Sequence, residues 1–264
     1  MPIPLPYRRF GRMRVAFMNE DLEFIFKRFT LDKGSPLGAL DYMLALRREF
    51  SNPLVLNLLK TKSQSGQDLF VLSETGFKRN GFFVEFGATD GVELSNTHIL
   101  EKEFGWDGIL AELGKVWHER LNANRQCRID TGCVWRVSEA RLRFNQTDEP
   151  EFSTLDEFSS ADEHAEIRKS GTTYDVATIS LGDLLKKHDA PERIDYLSID
   201  TEGSEYEILR DFDFDEYRFG VITCEHNFTP MREALRALLK VNGYVRKYEE
   251  LSQFDDCYVS ADRP

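Results

Sequence analysis

The chain has 264 residues, 41% of them hydrophobic, enough for one large α/β domain or a domain with an extension. Its 34 basic and 46 acidic residues leave a net charge of -12, which disfavours nonspecific binding to nucleic acid phosphates. Residues 1–62 carry 11 Lys/Arg against 6 Asp/Glu, so a basic lead precedes a strongly acidic remainder.

That lead could touch a membrane leaflet or an anionic glycan carrier, but packing on its own acidic domain or on a second subunit is the simpler expectation. The first ten residues hold three prolines and no apolar run, so a secretory leader is not expected. No stretch is apolar enough to span a bilayer, and the expected location is cytoplasmic, with peripheral membrane contact as the alternative. Cys127, Cys133, Cys224 and Cys257 lack close metal-ligand spacing and read as free thiols of a reducing compartment.

Residues 1–62 read as a basic helical extension in two or three pieces, clearest at 41–50, and 63–264 as the main domain. From Gly81 onward, short apolar runs alternate with helical patterns, the signature of βα units and a mostly parallel sheet. The spacing predicts strands at 82–86, 108–112, 128–134, 194–200, 220–225, 244–248 and 257–260. Helices are predicted at 94–103, 115–124, 181–188, 204–211 and 230–241. Residues 145–174, rich in Ser, Thr, Asp and Glu without periodicity, read as a long loop or lid.

Ligands of open α/β sheets gather beyond the carboxyl ends of the strands, so acids at those ends should converge on one rim. Glu85 lies in the first strand, and Glu112, Asp200 and Glu225 close three others. The segment Glu85-Phe86-Gly87-Ala88-Thr89-Asp90-Gly91 joins the first strand to a glycine-rich turn, whose glycines permit unusual dihedrals and close approach to a ligand. Its acids argue against a phosphate cradle and for a ligand with amines and hydroxyls, such as S-adenosylmethionine. Glu112 follows Gly87 by 25 residues, close to the place from which an acid accepts hydrogen bonds from ribose hydroxyls.

Asp200-Thr201-Glu202-Gly203-Ser204-Glu205 puts two carboxylates at a strand tip, with Ser204 able to cap the next helix. Cys224-Glu225-His226-Asn227 ends the following strand. His226 could act as a general base near neutral pH. Alternatively, Asp200, Glu225 and His226 could hold a divalent cation, Mg or Mn.

Several motifs in this order resemble the FkbM family of S-adenosylmethionine-dependent methyltransferases, over about three quarters of the chain. They are Ser63-Gln64-Ser65-Gly66-Gln67-Asp68, the 83–91 turn with Leu94-Ser95-Asn96-Thr97, and Gly105 through Glu112. Residues 194–205, Glu225-His226-Asn227 and Asp255-Asp256-Cys257-Tyr258-Val259 complete the set. The resemblance implies a Rossmann-like class I methyltransferase, with a seven-stranded mostly parallel sheet whose last strand is antiparallel. It implies that Glu85, Gly87, Ala88, Asp90, Gly91 and Asn96 line the donor, that Glu112 binds its ribose, and that Gln64, Gln67 and Asp68 close over it. Residues around Asp130 to Cys133 would face the adenine. Cys257 stands where relatives often carry an aromatic residue, and residues 1–62 have no counterpart in the shared core.

The expected activity is O-methylation of a sugar hydroxyl on a polysaccharide, glycolipid or glycosylated metabolite, with His226 or Asp200 as base and Glu202 orienting the acceptor. A non-sugar secondary metabolite is the alternative acceptor, and an inactive cofactor-binding scaffold the non-enzyme alternative. A nicotinamide dehydrogenase is disfavoured because the turn lacks GxGxxG and puts Asp90 where a pyrophosphate would approach.

Overall fold

The computed structural model describes Asn57 and residues 60–162, 164–249 and 252–262. The expected helical extension and its boundary at residue 62 fall almost wholly outside the described residues. Within them, the sheet that organises the fold is built from β1 (Phe82–Phe86), β2 (Asp107–Ala111), β3 (Arg128–Asp130), β8 (Arg193–Ile199), β9 (Arg218–Glu225), β10 (Tyr244–Lys247) and β11 (Asp255–Ser260). Its order is β10-β11-β9-β8-β1-β2-β3. The strands from β9 to β3 pair in parallel, while β11 runs antiparallel to both β9 and β10. The sheet is therefore mixed, with one reversed strand near its edge.

The period-two alternation of buried strands sorts side chains onto two cores. Val84, Phe86, Leu197, Ile199, Ile222 and Cys224 point to one face, covered by α5 (Leu181–Lys187), α6 (Glu205–Leu209) and α7 (Met231–Val241). Phe83, Leu110, Tyr196 and Val221 point to the other, covered by α1 (Gln67–Glu74), α2 (His98–Phe104) and α3 (His118–Asn124). Ser180 caps α5 by accepting a hydrogen bond from the Asp183 N–H at 3.1 Å, and Gly105 ends α2 in the left-handed region.

Two expectations fail in an instructive way. The strand predicted over 128–134 breaks at Thr131–Gly132, where the Gly132 N–H turns back to Asp130 Oδ1 at 2.8 Å. Its second half becomes β4 (Cys133–Trp135), which leaves the large sheet and opens another, ordered β4-β7-β5-β6. That sheet also holds β5 (Arg141–Gln146), β6 (Thr154–Leu155) and β7 (Thr172–Ser180), around a core of Cys133, Trp135, Phe144 and Leu155.

Residues 145–174 are accordingly not a structureless loop. They contain the end of β5, β6, two 3-10 turns, the short helix α4 (Ala165–Arg168) and the start of β7. This excursion is fastened to the tip of β8. Fully buried Arg168 donates to Phe152 O at 2.8 Å and to Asp162 and Glu202, both at 2.7 Å, and Thr154 donates to Glu202 O at 2.8 Å.

Candidate functional site

A cavity of about 670 Å³ lies beyond the carboxyl ends of β1, β2, β8 and β9, roofed by the 145–174 excursion. Its position is the one the strand order dictates: the chain leaves β1 toward β2 and leaves the adjacent β8 toward β9, and these opposite connections open a crevice between the two tips. Of the residues expected at the site, Gln64, Gly87, Asn96, Glu112, Cys133, Asp200, Glu202 and Glu225 line this cavity. Glu85, Ala88, Asp90, Gly91, Gln67, Asp68 and His226 stand behind it.

Each of those displaced residues has an internal task. Glu85 shares the face of Phe83, under the start of α2, and accepts hydrogen bonds from the Asn96 N–H at 2.6 Å, Ser95 Oγ at 3.1 Å and Thr97 Oγ1. Buried Asp90 folds the turn, accepting the N–H groups of Val92 and Glu93 at 2.9 Å, and pairs with Arg120. Gln67 donates to Asp255 at 2.7 Å, and Asp68 accepts from Thr61 at 2.6 Å and Ser63 at 2.7 Å. Gly91 faces Arg125 and Leu121, and Ala88 is enclosed in the core.

Gly87 is required by the chain's own packing. Its φ is +74°, and a Cβ there would lie 1.9 Å from the Asp200 carbonyl oxygen. The glycine thus brings the end of β1 against the end of β8, so both face one cavity.

On the β1–β2 side, Glu112 is clamped by the Thr89 N–H at 2.7 Å and the Gly114 N–H at 2.6 Å. Burial outweighs these donors and pushes its carboxyl up to about 7. Asn96 donates to Ser198 Oγ at 2.9 Å, while its Oδ1 is buried without a partner. A buried acceptor left unmet is a place for a ligand's donor. Cys133 lines the same side as a thiol held neutral by burial, its pKa near 12.

Three carboxylates converge on the β8–β9 side, where Asp200, Glu202 and Glu225 offer oxygens within 4.8 Å of one another. Desolvation raises Asp200 to about 7 against a hydrogen bond from Glu225. Burial and the neighbouring Asp200 charge raise Glu202 and Glu225 as well. Glu205 builds the turn that aims the first two, its Oε1 accepting the Thr201 and Gly203 N–H groups, both at 3.0 Å.

His226 does not join them. Its Nδ1 accepts the Phe228 N–H at 3.0 Å and its Nε2 lies 3.2 Å from Ser252 Oγ, and the residue does not line the cavity. Burial, then the Arg232 charge, lowers its pKa to about 4, so it is neutral at physiological pH. Of the expected triad, Asp200 and Glu225 lie together with Glu202 rather than with His226. Strand periodicity cannot foretell this exchange, because Glu202, Asn227 and Phe228 all sit at positive φ just past their strands.

The excursion supplies lining that the sequence did not disclose. Phe152 and His164 stack with ring centroids 4.3 Å apart, and Trp117, Asn227 and Phe254 complete the wall around them.

The chain matches the model of the methyltransferase FkbM domain over residues 85–246. It belongs to the FkbM methyltransferase family. Membership implies S-adenosylmethionine as methyl donor, and the unmet Asn96 oxygen and the clamped Glu112 carboxylate suit its amine and ribose donors. Among solved structures, an FkbM methyltransferase from Methylobacillus flagellatus KT is similar at 10% identity and a TM-score of 0.42, covering 83% of this chain and 58% of that one. This chain therefore spans about 58% of that relative's length. The METTL16 methyltransferase domain matches at 11% identity and TM-score 0.41, with 96% of this chain and 97% of that one covered. A human methyltransferase 10 domain containing protein matches at 12% and 0.39, with 95% and 100% covered. No protein of curated function matches the chain.

Proposed function

We propose that the protein transfers a methyl group from S-adenosylmethionine to a sugar hydroxyl of a polysaccharide, glycolipid or glycosylated metabolite. The observation that carries this reading is the two-sided cavity. One side has an unmet amide oxygen and a strand-end carboxylate, and the other has three carboxylates beside aromatic faces.

The donor supplies a methyl group on a positively charged sulfur, open to in-line displacement. Asn96 and Glu112 hold the donor's polar groups. Asp200, lifted to about 7, accepts the acceptor's hydroxyl proton, while Glu202 and Glu225 accept hydrogen bonds from neighbouring hydroxyls. The Phe152–His164 pair and Phe254 offer apolar faces to a sugar ring. Alignment of this kind supplies on the order of 7–11 kcal/mol of the barrier reduction. The same oxygen-rich rim is suited to a divalent cation. The thiols of Cys127, Cys133 and Cys224, which stand outside any disulfide, suit a reducing cytoplasm, and basic residues 1–62 are our choice of contact surface for a second subunit.

The test is incubation with isotopically labelled donor and a panel of glycans, with products read by mass. Methylated glycan is expected, and Asp200→Asn should lower turnover by about 10²–10⁴-fold with donor affinity kept. Label appearing in a non-sugar hydroxyl compound and in no glycan would transfer the assignment to secondary metabolites. Donor binding without incorporation into any hydroxyl compound would support the inactive scaffold.

A further inference from the structure

Acidic clusters are common on proteins without any ion, so the three carboxylates at the β8 and β9 tips count for little by proximity alone. Glu225 is the exception that gives them meaning. It is 9% exposed, and its Oε2 is buried with no hydrogen-bond partner. A buried carboxylate oxygen without a donor is costly to leave unmet.

The cation already tied to the cluster has none to spare: Arg168 is committed to Phe152 O, Asp162 and Glu202. Asn227 reaches Glu202 at 3.3 Å rather than Glu225. Three carboxyl groups thus share one guanidinium in a partly water-excluded pocket, and the unmet oxygen belongs to one of them.

We propose that Asp200, Glu202 and Glu225 form a binding site for a hard divalent cation of the magnesium, manganese or calcium class. The donor set consists of carboxylate oxygens, with neither thiol nor imidazole in the cluster, which favours these ions over zinc or copper. Arg168 and the Glu205 turn hold Glu202 in place beforehand, so little ordering is left for the ion to impose. Three protein ligands leave positions open in a six-coordinate shell, and two adjacent hydroxyls of a polyol fit them. This last step deepens the sugar reading and rests on it; the cation site does not.

Full-length protein freed of metal by a chelator and titrated with Mn²⁺, with free ion followed by electron paramagnetic resonance, tests the site directly. We expect about one tightly held Mn²⁺ per chain, displaced by excess Mg²⁺ or Ca²⁺. Glu225→Gln and Asp200→Asn, each checked for folding by thermal melting, should weaken binding by at least about 10–100-fold, the loss that removing only a partner of a ligand already gives. Wild type taking up no Mn²⁺, or holding it equally in both folded variants, overturns the site. Calorimetry with S-adenosylmethionine on the same samples separates this from the methyl-transfer reading. Donor bound without Mn²⁺ overturns the cation alone, whereas Mn²⁺ bound without donor supports the cation and contradicts methyl transfer.

Discussion

At the scale of single residues, the site is governed by which carboxyl groups are spoken for. Glu85 and Asp90 are saturated by the turn they fold, whereas Glu112 and Glu225 face the cavity with capacity to spare. His226 belongs with the saturated group. Its replacement by Ala removes the acceptor for the Phe228 N–H and leaves a small cavity beside Asp256. We expect a loss of about 1–2 kcal/mol in stability, read by chemical denaturation, and a pH profile of turnover identical to wild type. An altered profile would restore this histidine as the base. Asp200 and Glu112 were legible in the sequence because each follows an apolar strand directly, where the sheet fixes direction. Glu202 and His226 could not be ranked, since the turns past those strands take positive φ and follow no period.

At the scale of elements, a buried guanidinium is the main fastener of the excursion between β4 and β7, with Thr154 beside it. Arg168→Ala strands the Glu202 and Asp162 carboxylates and should cost about 3–5 kcal/mol. Limited proteolysis should then cut within 145–174 in the variant and spare wild type; equal resistance would show that Arg168 is not the fastener. The glycine after β1 is a second hinge of the design. Gly87→Ala drives a Cβ into the Asp200 carbonyl at an unfavourable φ, so the β1 and β8 tips must part. We expect a melting temperature lowered by several degrees or more, together with weakened donor binding. The βα units and their order could be read from apolar runs. The second sheet could not, because β6 has two residues and β4 three, and β7 is mostly half-buried with a single buried residue, too little signal for periodicity.

At the scale of the whole molecule, carboxyl groups crowd one end of the sheet and their burial sets a pH dependence. Glu112 and Asp200 are raised to about 7 and Asp255 to about 8, so the folded state binds more protons than the unfolded chain as pH rises toward those values. Stability must then fall with rising pH by up to about 1.4 kcal/mol per pH unit for each group until its folded value is passed, near 7 for Glu112 and Asp200 and near 8 for Asp255. His98 and His226, lowered to about 4, act in the opposite sense, but only up to the unfolded histidine value of about 6.5. The clean window therefore runs from about 6.5 to 8. The metal-free protein should melt at progressively lower temperature across it, and Asp255→Asn should flatten the trend. A melting temperature that rises across the window would mean that these carboxyls are ionised in the fold.

The donor half of the cavity is the foundation of the account, and titrating S-adenosylmethionine calorimetrically into wild type and Glu112→Gln tests it most directly. We predict one site in wild type, weakened by about 10–100-fold in the variant through loss of a charged acceptor, with wild-type affinity falling below pH 7 as the carboxyl takes up its proton. Absence of binding in wild type, or equal affinity in the folded variant, would contradict it.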